Sequence, residues 1–562
     1  MLKSVPWWKS NIAYQIYPRS FCDSNNDGIG DIPGIISKLD YLKDLGIGII
    51  WLSPVYRSPN NDNGYDISGY REINPEYGTL QDMKNLIQEA KKRNIKIIMD
   101  LVINHTSDEH PWFIESKKNI ENPYRSYYIW KKGKTLKNGK KIPPNNWTSF
   151  FTGSAWEYDE KTDEYYLHLF SKKQPDLNYN NPDVLSAIKD IMKFWLDMGI
   201  AGFRCDVINV IYKTSLENGK KRIACTGREW YLCQAGCHKI LQELRKDVLS
   251  KYDCFAVGET TFVNIEEAKK LCNSDNSELD MIFNFEHVEC DQINNKWFKT
   301  KFKPAKFMSI LEKWQEGLDW NALYLENHDQ PRSISRFGNK KYYLESGKML
   351  ATLLLTLRGT PFIFEGEEIG MKNINFDSIS DFKDLESHNI WNLGKKLHFP
   401  EWLILKMLRK TSRDNARTPM QWNSSKNAGF SENEKTNPWI KIGDTNINVA
   451  SQLNNPESLL NWYKKLINIR KNTPELTGGS FEMLYKDKNV FAYKRKLQSI
   501  TENESRECII VLNFSKKKRL IPEKLKNYIN LYKHQTVLCS IYPTIEKLPP
   551  YAAFIIENLD RK

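Results

Sequence analysis

The segment GFRCD, at residues 202–206, is a short apolar run that ends in a carboxylate. The same pattern recurs in FAVGE at residues 255–259 and in LYLENHD at residues 323–329. Short apolar runs of this kind predict buried parallel strands. A carboxylate at the carboxyl end of a parallel barrel strand points into the mouth of the barrel, where the active sites of such folds lie. The three segments therefore predict a barrel with three acids converging at its mouth.

Apolar runs and amphipathic stretches alternate from residue 13 through most of the chain. Eight runs are candidate barrel strands, at residues 13–17, 47–52, 95–102, 202–207, 255–259, 281–285, 323–326 and 361–364. Helical periodicity separates several of them, for example at residues 80–93, 184–198 and 342–357. This alternation predicts an α/β fold of the (β/α)8 TIM barrel type.

Three further regions do not fit the barrel pattern. Residues 105–174 are polar and aromatic and are too long for a loop, which predicts an inserted subdomain after the third strand. A second insertion spans about residues 371–436, after the eighth strand. From residue 479 onward, short alternating strands predict a C-terminal antiparallel β domain. The predicted domains are 1–104 and 175–478 for the barrel, 105–174 for the subdomain and 479–562 for the β domain.

Three converging acids suit the cleavage of a glycosidic bond. A retaining glycosidase needs an ionised carboxylate as nucleophile and a protonated carboxyl that donates to the leaving oxygen. A third carboxylate can stabilise positive charge on the sugar ring. Any one acid alone is explained as well by a helix cap or an ion pair. Arg204, however, precedes Asp206 by two residues, so both side chains face the barrel mouth and the arginine favours an ionised carboxylate.

Composition and charge exclude several classes of protein. The 562-residue chain is 40% hydrophobic and 12% aromatic, which is ample for a packed core. Its net charge of +13 comes from 82 basic residues spread along the chain without a nucleic-acid-binding motif, so no nucleic-acid partner is expected. No membrane-spanning stretch or signal-peptide core is seen in the sequence, so a cytoplasmic protein with no membrane partner is expected. A monomer is expected as well, although the sequence leaves the oligomeric state open. The ten cysteines are sparse and irregular, which favours reduced thiols.

One loop has the spacing of a metal site. Oxygen-bearing side chains occupy alternate positions of a tight turn, as in the first half of an EF-hand loop, at Asp23, Asn25, Asp27 and Asp31. The twelfth position is Gly34, where an EF-hand needs a bidentate glutamate. A single structural Ca²⁺, which would also take the backbone carbonyl of Ile29, is the favoured interpretation. A metal-free turn held by Asx hydrogen bonds is the alternative.

Several motifs resemble the signature segments of the α-amylase superfamily of glycoside hydrolases. They are DLVINH at 100–105, GFRCD at 202–206, GE at 258–259 and ENHD at 326–329. QPDLN at 174–178 is similar to the segment that marks the oligo-1,6-glucosidase branch of this superfamily. NGYDISGY at 63–70 and RDNARTPMQW at 413–422 match that branch too. Together the motifs cover nearly the whole chain.

The resemblance implies a retaining α-glucosidase that removes terminal α-1,6-linked glucose from small isomalto-oligosaccharides. It implies that Asp206 is the nucleophile, Glu259 the general acid/base and Asp329 the transition-state stabiliser. The implied sugar-binding residues are Asp62, Tyr65, His105, Phe170, Gln174, Arg204, Val207, His328 and Arg417. Enzymes of this branch often carry Ca²⁺ or Mg²⁺ in the loop described above, and no cofactor is implied for catalysis.

Other functions remain open within this resemblance. An α-1,4-glucosidase is one alternative; in this branch Val at position 207 looks like a mark of α-1,6 cleavage and Thr a mark of α-1,4 cleavage. A sucrose isomerase is another, although residues 287–297 lack the loop rich in arginine and aspartate that marks those enzymes. A non-enzymatic relative, similar to the heavy chains of amino-acid transporters, would need a transmembrane helix. Glu365 stands where the branch usually has Gln, and the sequence leaves its effect on the pocket open.

Overall fold

A computed structural model of the chain describes residues 5–222, 224–272, 278–293, 295–497, 506–526, 536–539 and 546–558. Its largest unit is a barrel-like sheet of eight parallel strands. In chain order these barrel strands are β1 (Ala13–Ile16), β2 (Ile49–Leu52), β3 (Lys96–Leu101), β4 (Gly202–Cys205), β5 (Phe255–Glu259), β6 (Met281–Phe283), β7 (Ala322–Leu323) and β8 (Thr360–Phe364). Seven of them lie where the sequence predicts a strand, whereas β7, predicted at 323–326, overlaps the observed strand only at Leu323. The predicted (β/α)8 barrel is confirmed.

The strands pair side by side in the order β6, β5, β4, β3, β2, β1, β8, β7. All of these pairs are parallel; Arg204 of β4, for example, lies opposite Asp100 of β3 and Val257 of β5. At the seam β6 lies against β7, and no backbone ladder joins these two strands within the described residues. Because all the strands point the same way, their carboxyl ends meet at one face of the barrel.

Helices cover the outside of the barrel. The longer ones are Leu39–Leu45, Leu80–Lys92, Pro182–Met198, Ala235–Asp247, Ile265–Leu271, Pro304–Gly317, Tyr343–Thr356 and Leu459–Asn472. The second of these shows how the sequence sets their ends. A reciprocal capping box between Thr79 and Asp82 starts it, and its buried residues at 83, 86, 87 and 90 repeat with helical spacing. The three helices predicted from periodicity agree with the structure within two residues at each end.

The barrel interior is a packed aromatic core. The ring of Trp51 stacks on Phe283 at 5.4 Å, and Phe283 meets Phe362 edge to face at 4.7 Å. The approach of β4 to β5 is close enough to require a glycine. Gly202 has φ +137°, and a Cβ at this position would lie 1.9 Å from the carbonyl oxygen of Phe255. GFRCD therefore begins with glycine because no side chain fits there.

The insertion between β3 and β4 has short elements of its own. They are Pro111–Ser116 as a helix and Trp130–Lys131, Lys134–Thr135, Lys141–Ile142, Trp156–Asp159 and Glu164–Leu167 as strands. It is tied to the barrel by a buried ion pair, in which Lys213 Nζ lies 2.7 Å from Asp176 Oδ2. The ion pair fixes the insertion next to the carboxyl ends of β3 and β4.

The insertion after β8 forms a helical hairpin, Leu385–Lys396 and Glu401–Thr411. The C-terminal unit is a five-stranded antiparallel sheet, as the sequence predicts. Its strands are Ser480–Lys486, Val490–Leu497, Arg506–Asn513, Thr536–Cys539 and Ala553–Asn558. The boundaries proposed between domains stay predictions. None of the described helices is long and apolar enough to cross a membrane.

Candidate active site

The ends of β4 and β5 place two carboxylates on one buried guanidinium. Arg204, which is 1% exposed, puts Nη1 2.7 Å from Asp206 Oδ1 and Nη2 2.5 Å from Glu259 Oε2. Its Nη1 also lies 2.5 Å from Oδ1 of Asp100, the end of a third strand. One cation thus orients three acids from three neighbouring strands, which requires the parallel register described above.

The carboxyls of Asp206 and Glu259 bind the two terminal nitrogens of the same guanidinium and therefore lie close together. Burial raises the pKa of Asp206 well above its usual value; Arg204 opposes this shift, and the neighbouring Glu259 carboxylate adds to it. Arg204 is thus the group that stabilises the ionised form of Asp206. Two close carboxyls on one guanidinium are the arrangement that a nucleophile and a neighbouring proton donor require.

The third acid, Asp329, is held from the other side of the site. Its Oδ1 accepts a hydrogen bond from Arg417 Nη2 at 2.8 Å, and Arg413 Nη1 lies 3.3 Å away. Burial alone would raise the pKa of Asp329, but the protonated form of His328, Arg413 and Arg417 outweigh it and hold the pKa well below the usual value. Asp329 is therefore a fixed negative charge at neutral pH.

A neutral histidine lies beside Asp329. Burial lowers the pKa of His328 to about 3. The ring stacks on Tyr65 with centroids 5.3 Å apart, and its Nε2 is 2.8 Å from the Tyr65 hydroxyl. Gln15 Nε2 lies 2.7 Å from the other ring nitrogen, Nδ1. Because the ring is neutral at neutral pH, the two arginines supply the positive charge that keeps Asp329 ionised.

A second hydrogen-bonded network joins side chains from three loops. Gln174 Nε2 lies 3.1 Å from His105 Nε2 and 3.2 Å from Asp62 Oδ2. Asp62 Oδ1 is in turn 3.2 Å from Arg413 Nη2, so this network reaches the arginine that also faces Asp329. Burial lowers the pKa of His105 to about 4, so this ring is neutral as well. These groups suit hydrogen bonding to sugar hydroxyls.

The two remaining predicted residues lie in an apolar cluster above the acids. Phe170 is partly buried, and its ring is 5.2 Å from His105 and 4.9 Å from Phe150. Val207 packs in the same cluster. Its backbone N–H points at Glu259 Oε2, 3.3 Å away. Strand β4 ends at Cys205, so the prediction of a strand through Val207 is wrong by two residues; Val207 adopts a left-handed turn with φ +36° instead.

The geometry brings all twelve predicted catalytic and sugar-binding residues to one face of the barrel. Two close carboxyls on one arginine, a third carboxylate held ionised by two arginines, and neutral hydrogen-bonding side chains around them fit general acid and nucleophilic chemistry at an acetal carbon.

Comparisons with known proteins agree with this chemistry. The catalytic-domain model of α-amylases matches residues 15–479. The chain belongs to the α-amylase family. An oligo-1,6-glucosidase of Parageobacillus thermoglucosidasius is 49% identical over 96% of this chain and 95% of its own. Two solved structures are similar. Isomaltulose synthase from Klebsiella sp. LX3 is 39% identical, with a TM-score of 0.91 over 99% of this chain and 100% of its own. Trehalose-6-phosphate hydrolase of Bacillus licheniformis is 41% identical, with a TM-score of 0.89 over 98% of this chain and 100% of its own.

The predicted α-amylase resemblance and glycosidase activity are thus confirmed, while the role of each residue stays a prediction. Sequence reasoning missed Arg413, although it is the first residue of the RDNARTPMQW motif, four positions before Arg417. Two arginines spaced four apart were the available signal. Asp384, which pairs with Arg413 Nη2 at 2.6 Å, lies in the insertion after β8 in no quoted motif. Asp100 stood in the DLVINH motif but received no role.

The loop predicted to bind Ca²⁺ is arranged as a hydrogen-bonded turn. Asp23 accepts from Asn26 N at 2.7 Å and from Gly28 N at 2.9 Å. Asp31 accepts from Gly34 N at 2.6 Å and caps the following helix. Within the described part of the chain, no group of three or more His, Cys, Asp or Glu side chains is gathered to hold a metal ion. Ca²⁺ bound by Asp23, Asn25, Asp27, Asp31 and the carbonyl of Ile29 stays a prediction, as does the metal-free turn.

Glu365 directly follows β8 at its carboxyl end. It is fully buried, its Oε2 accepts from the backbone N–H of Tyr17 at 2.9 Å, and its Oε1 has no hydrogen-bond partner among the described residues. Burial raises the pKa of Glu365 well above its usual value; Arg332 opposes this shift and Glu368 adds to it. The carboxyl is therefore neutral over a wide pH range and resembles the glutamine usual in the branch.

We expect Glu365→Gln to stabilise the protein increasingly as the pH rises. Because its pKa is raised in the folded state, Glu365 binds a proton more tightly in the folded than in the unfolded chain. Its contribution to the free energy of unfolding is therefore lost as the pH rises above about 4.5, by up to about 1.4 kcal/mol per pH unit. Thermal unfolding at pH 5 and pH 8 should show a larger gain in Tm at pH 8. Glu160→Gln, at an exposed turn, is the control and should show equal small changes at both pH values. A gain that does not depend on pH would contradict the assignment of a buried neutral acid.

Proposed function

We propose that the protein is a retaining α-glucosidase that removes single α-1,6-linked glucose units from the non-reducing ends of isomalto-oligosaccharides. Asp206 is the nucleophile, Glu259 the acid/base and Asp329 the stabilising carboxylate. The observation that carries the proposal is the binding of Asp206 and Glu259 by one arginine, Arg204, opposite Asp329. In the first step Asp206 attacks the anomeric carbon while Glu259 protonates the leaving oxygen. In the second, Glu259 removes a proton from the water that releases glucose.

The shared arginine supports retention of configuration. An inverting enzyme needs its carboxyls about 6.5–9.5 Å apart to leave room for a water molecule between base and sugar, whereas a retaining enzyme has them closer together. Asp206 and Glu259 bind the two terminal nitrogens of one guanidinium, at 2.7 Å and 2.5 Å, which favours the closer spacing. Two successive inversions then release glucose in its α form.

The buried ion pair beside Asp329 supports removal of one terminal sugar. Asp62 and Arg413 are 5% and 6% exposed, and Gln174 beside them is fully buried. These paired side chains close one end of the site. An endo-acting enzyme would need an open cleft at that end to bind further sugars. They present donors and acceptors to the hydroxyls of a non-reducing end.

The proposed α-1,6 preference rests on Val207 and on the relatives that share the fold. Val207 lies next to Glu259, the residue that protonates the leaving sugar. A methyl group there leaves apolar space, whereas a threonine hydroxyl could hydrogen-bond to a different acceptor geometry. The 49% identity of this chain to the oligo-1,6-glucosidase of P. thermoglucosidasius supports the same linkage preference.

Product analysis tests the proposal directly. The protein should release glucose from isomaltose, isomaltotriose and panose, and time-resolved NMR should detect α-glucose first. Maltose, sucrose, trehalose and trehalose 6-phosphate are the comparison substrates, because related proteins are named for activity on or synthesis of such sugars. Release of β-glucose first would exclude the double displacement. Faster turnover of trehalose 6-phosphate, or isomerisation of sucrose, would replace the proposed substrate while leaving the three-carboxylate mechanism in place.

We expect Val207→Thr to shift the ratio of kcat/KM for isomaltose to that for maltose toward maltose. A single group facing a sugar subsite changes relative rates by roughly ten- to two-hundredfold. Val210→Thr is the matched control, because Val210 is a buried valine of the same apolar cluster three residues along the chain. It should lower Tm without changing the ratio. If both variants leave the ratio unchanged, Val207 is only a packing residue and the α-1,6 preference has another origin.

A further inference from the structure

Phe262 is an exposed aromatic residue three positions after the proposed acid/base. It is 52% exposed, although it lies in the loop that leaves β5 at the mouth of the barrel. Its backbone has φ +53°, the left-handed region that a bulky residue adopts only when its surroundings enforce it. A large apolar side chain that is both strained and exposed contributes little to folding, and such strain concentrates at functional sites.

The ring of Phe262 is continuous with the aromatic cluster over the acids. Phe150 stacks on Phe262 with centroids 6.3 Å apart, and Phe150 stacks on Phe170 at 4.9 Å. Phe170 in turn contacts His105 of the sugar-binding ring at 5.2 Å. An aromatic wall therefore leads from His105 of the proposed sugar-binding site outward to Phe262.

Arg228 fixes the orientation of the outermost ring. Its guanidinium carbon lies 4.8 Å above the centroid of Phe262, so it covers one face of the ring. Half of the side-chain surface remains exposed to solvent. Phe262 is therefore an aromatic platform: Arg228 covers one face of its ring, and the rest of the ring is open to a ligand.

The position of this platform defines which part of a substrate it meets. Glu259 protonates the oxygen of the leaving sugar, so the loop that follows it lies on the leaving-group side of the scissile bond. The apolar C–H face of a pyranose ring packs well on an aromatic ring. We propose that Phe262, oriented by Arg228, binds the leaving sugar and sets the preference for that sugar. This inference rests on the proposed glucosidase function and adds the site for the second half of the substrate.

Substrates that share one glucosyl group but differ in leaving group test this role. In Phe262→Gly, kcat/KM for isomaltose and isomaltotriose should fall roughly two- to thirteenfold, the usual contribution of one aromatic contact. For α-glucosyl fluoride, which has no leaving sugar, kcat/KM should change less than about twofold. Glycine also removes the strain at φ +53°, so Tm should stay equal or rise. Phe262→Tyr, which keeps the ring, should retain activity on isomaltose.

Three results would overturn the proposal. One is an equal fall for α-glucosyl fluoride and isomaltose, which would place Phe262 at the reacting glucose. Another is a lower Tm with no selective loss, as expected for a packing residue. The last is no change with either substrate. Failure of the parent function is distinguishable, because it appears in the wild type as a preference for another disaccharide. The same comparison with α-glucosyl fluoride then applies to that disaccharide.

Discussion

Asp206→Asn should lower kcat for isomaltose by about 10⁴-fold or more, because an amide cannot form the glycosyl ester that the double displacement needs. The substitution should not destabilise the folded protein. Asp206 shares Arg204 with Glu259 and Asp100, and its raised pKa means that its negative charge costs stability in the folded state. Removing that charge relieves repulsion among the acids, so Tm should be unchanged or higher. Steady-state kinetics and thermal unfolding of the same preparation measure both effects.

A smaller variant at this position gives a chemical signature. Asp206→Ala leaves space on the face of the sugar opposite the leaving group, and azide can attack from there. One inversion then converts an α-glucosyl substrate into β-glucosyl azide. Activity above a tenth of wild type in Asp206→Asn, or failure of azide to give the β product from α-glucosyl fluoride, would contradict the assignment of Asp206 as nucleophile.

The acids and the barrel were accessible to sequence reasoning because each depends on local pattern. Buried parallel strands read as apolar runs, and their carboxyl ends share one face whatever the loops do. Asp206, Glu259 and Asp329 follow from that rule. The need for glycine at position 202, by contrast, becomes clear only in the structure, where a Cβ would meet the neighbouring strand.

Site residues in the long insertions could not be predicted from local sequence patterns. Asp384 belongs to a helical hairpin whose packing over the barrel mouth has no signature in the sequence, yet it pairs with Arg413 beside Asp329. Val207 packs in a cluster with residues of the insertion at 105–174, and Phe262 stacks on Phe150 of the same insertion. Side-chain directions in such loops depend on tertiary contacts that periodicity does not encode.

Glu259→Ala should separate the two steps of the reaction. Hydrolysis of isomaltose should fall about 10²- to 10⁴-fold, because the leaving sugar departs without a proton. With α-glucosyl fluoride, kcat/KM should fall far less, since fluoride needs little protonation; the glucosyl group then stays on Asp206, because no base activates water. Azide should release it rapidly without base assistance, and the two inversions should give α-glucosyl azide, whereas Asp206→Ala gives the β isomer. NMR of the two azides therefore assigns both carboxylates in one comparison. Equal losses on fluoride and isomaltose, or the β product from Glu259→Ala, would show that Glu259 is not the acid/base.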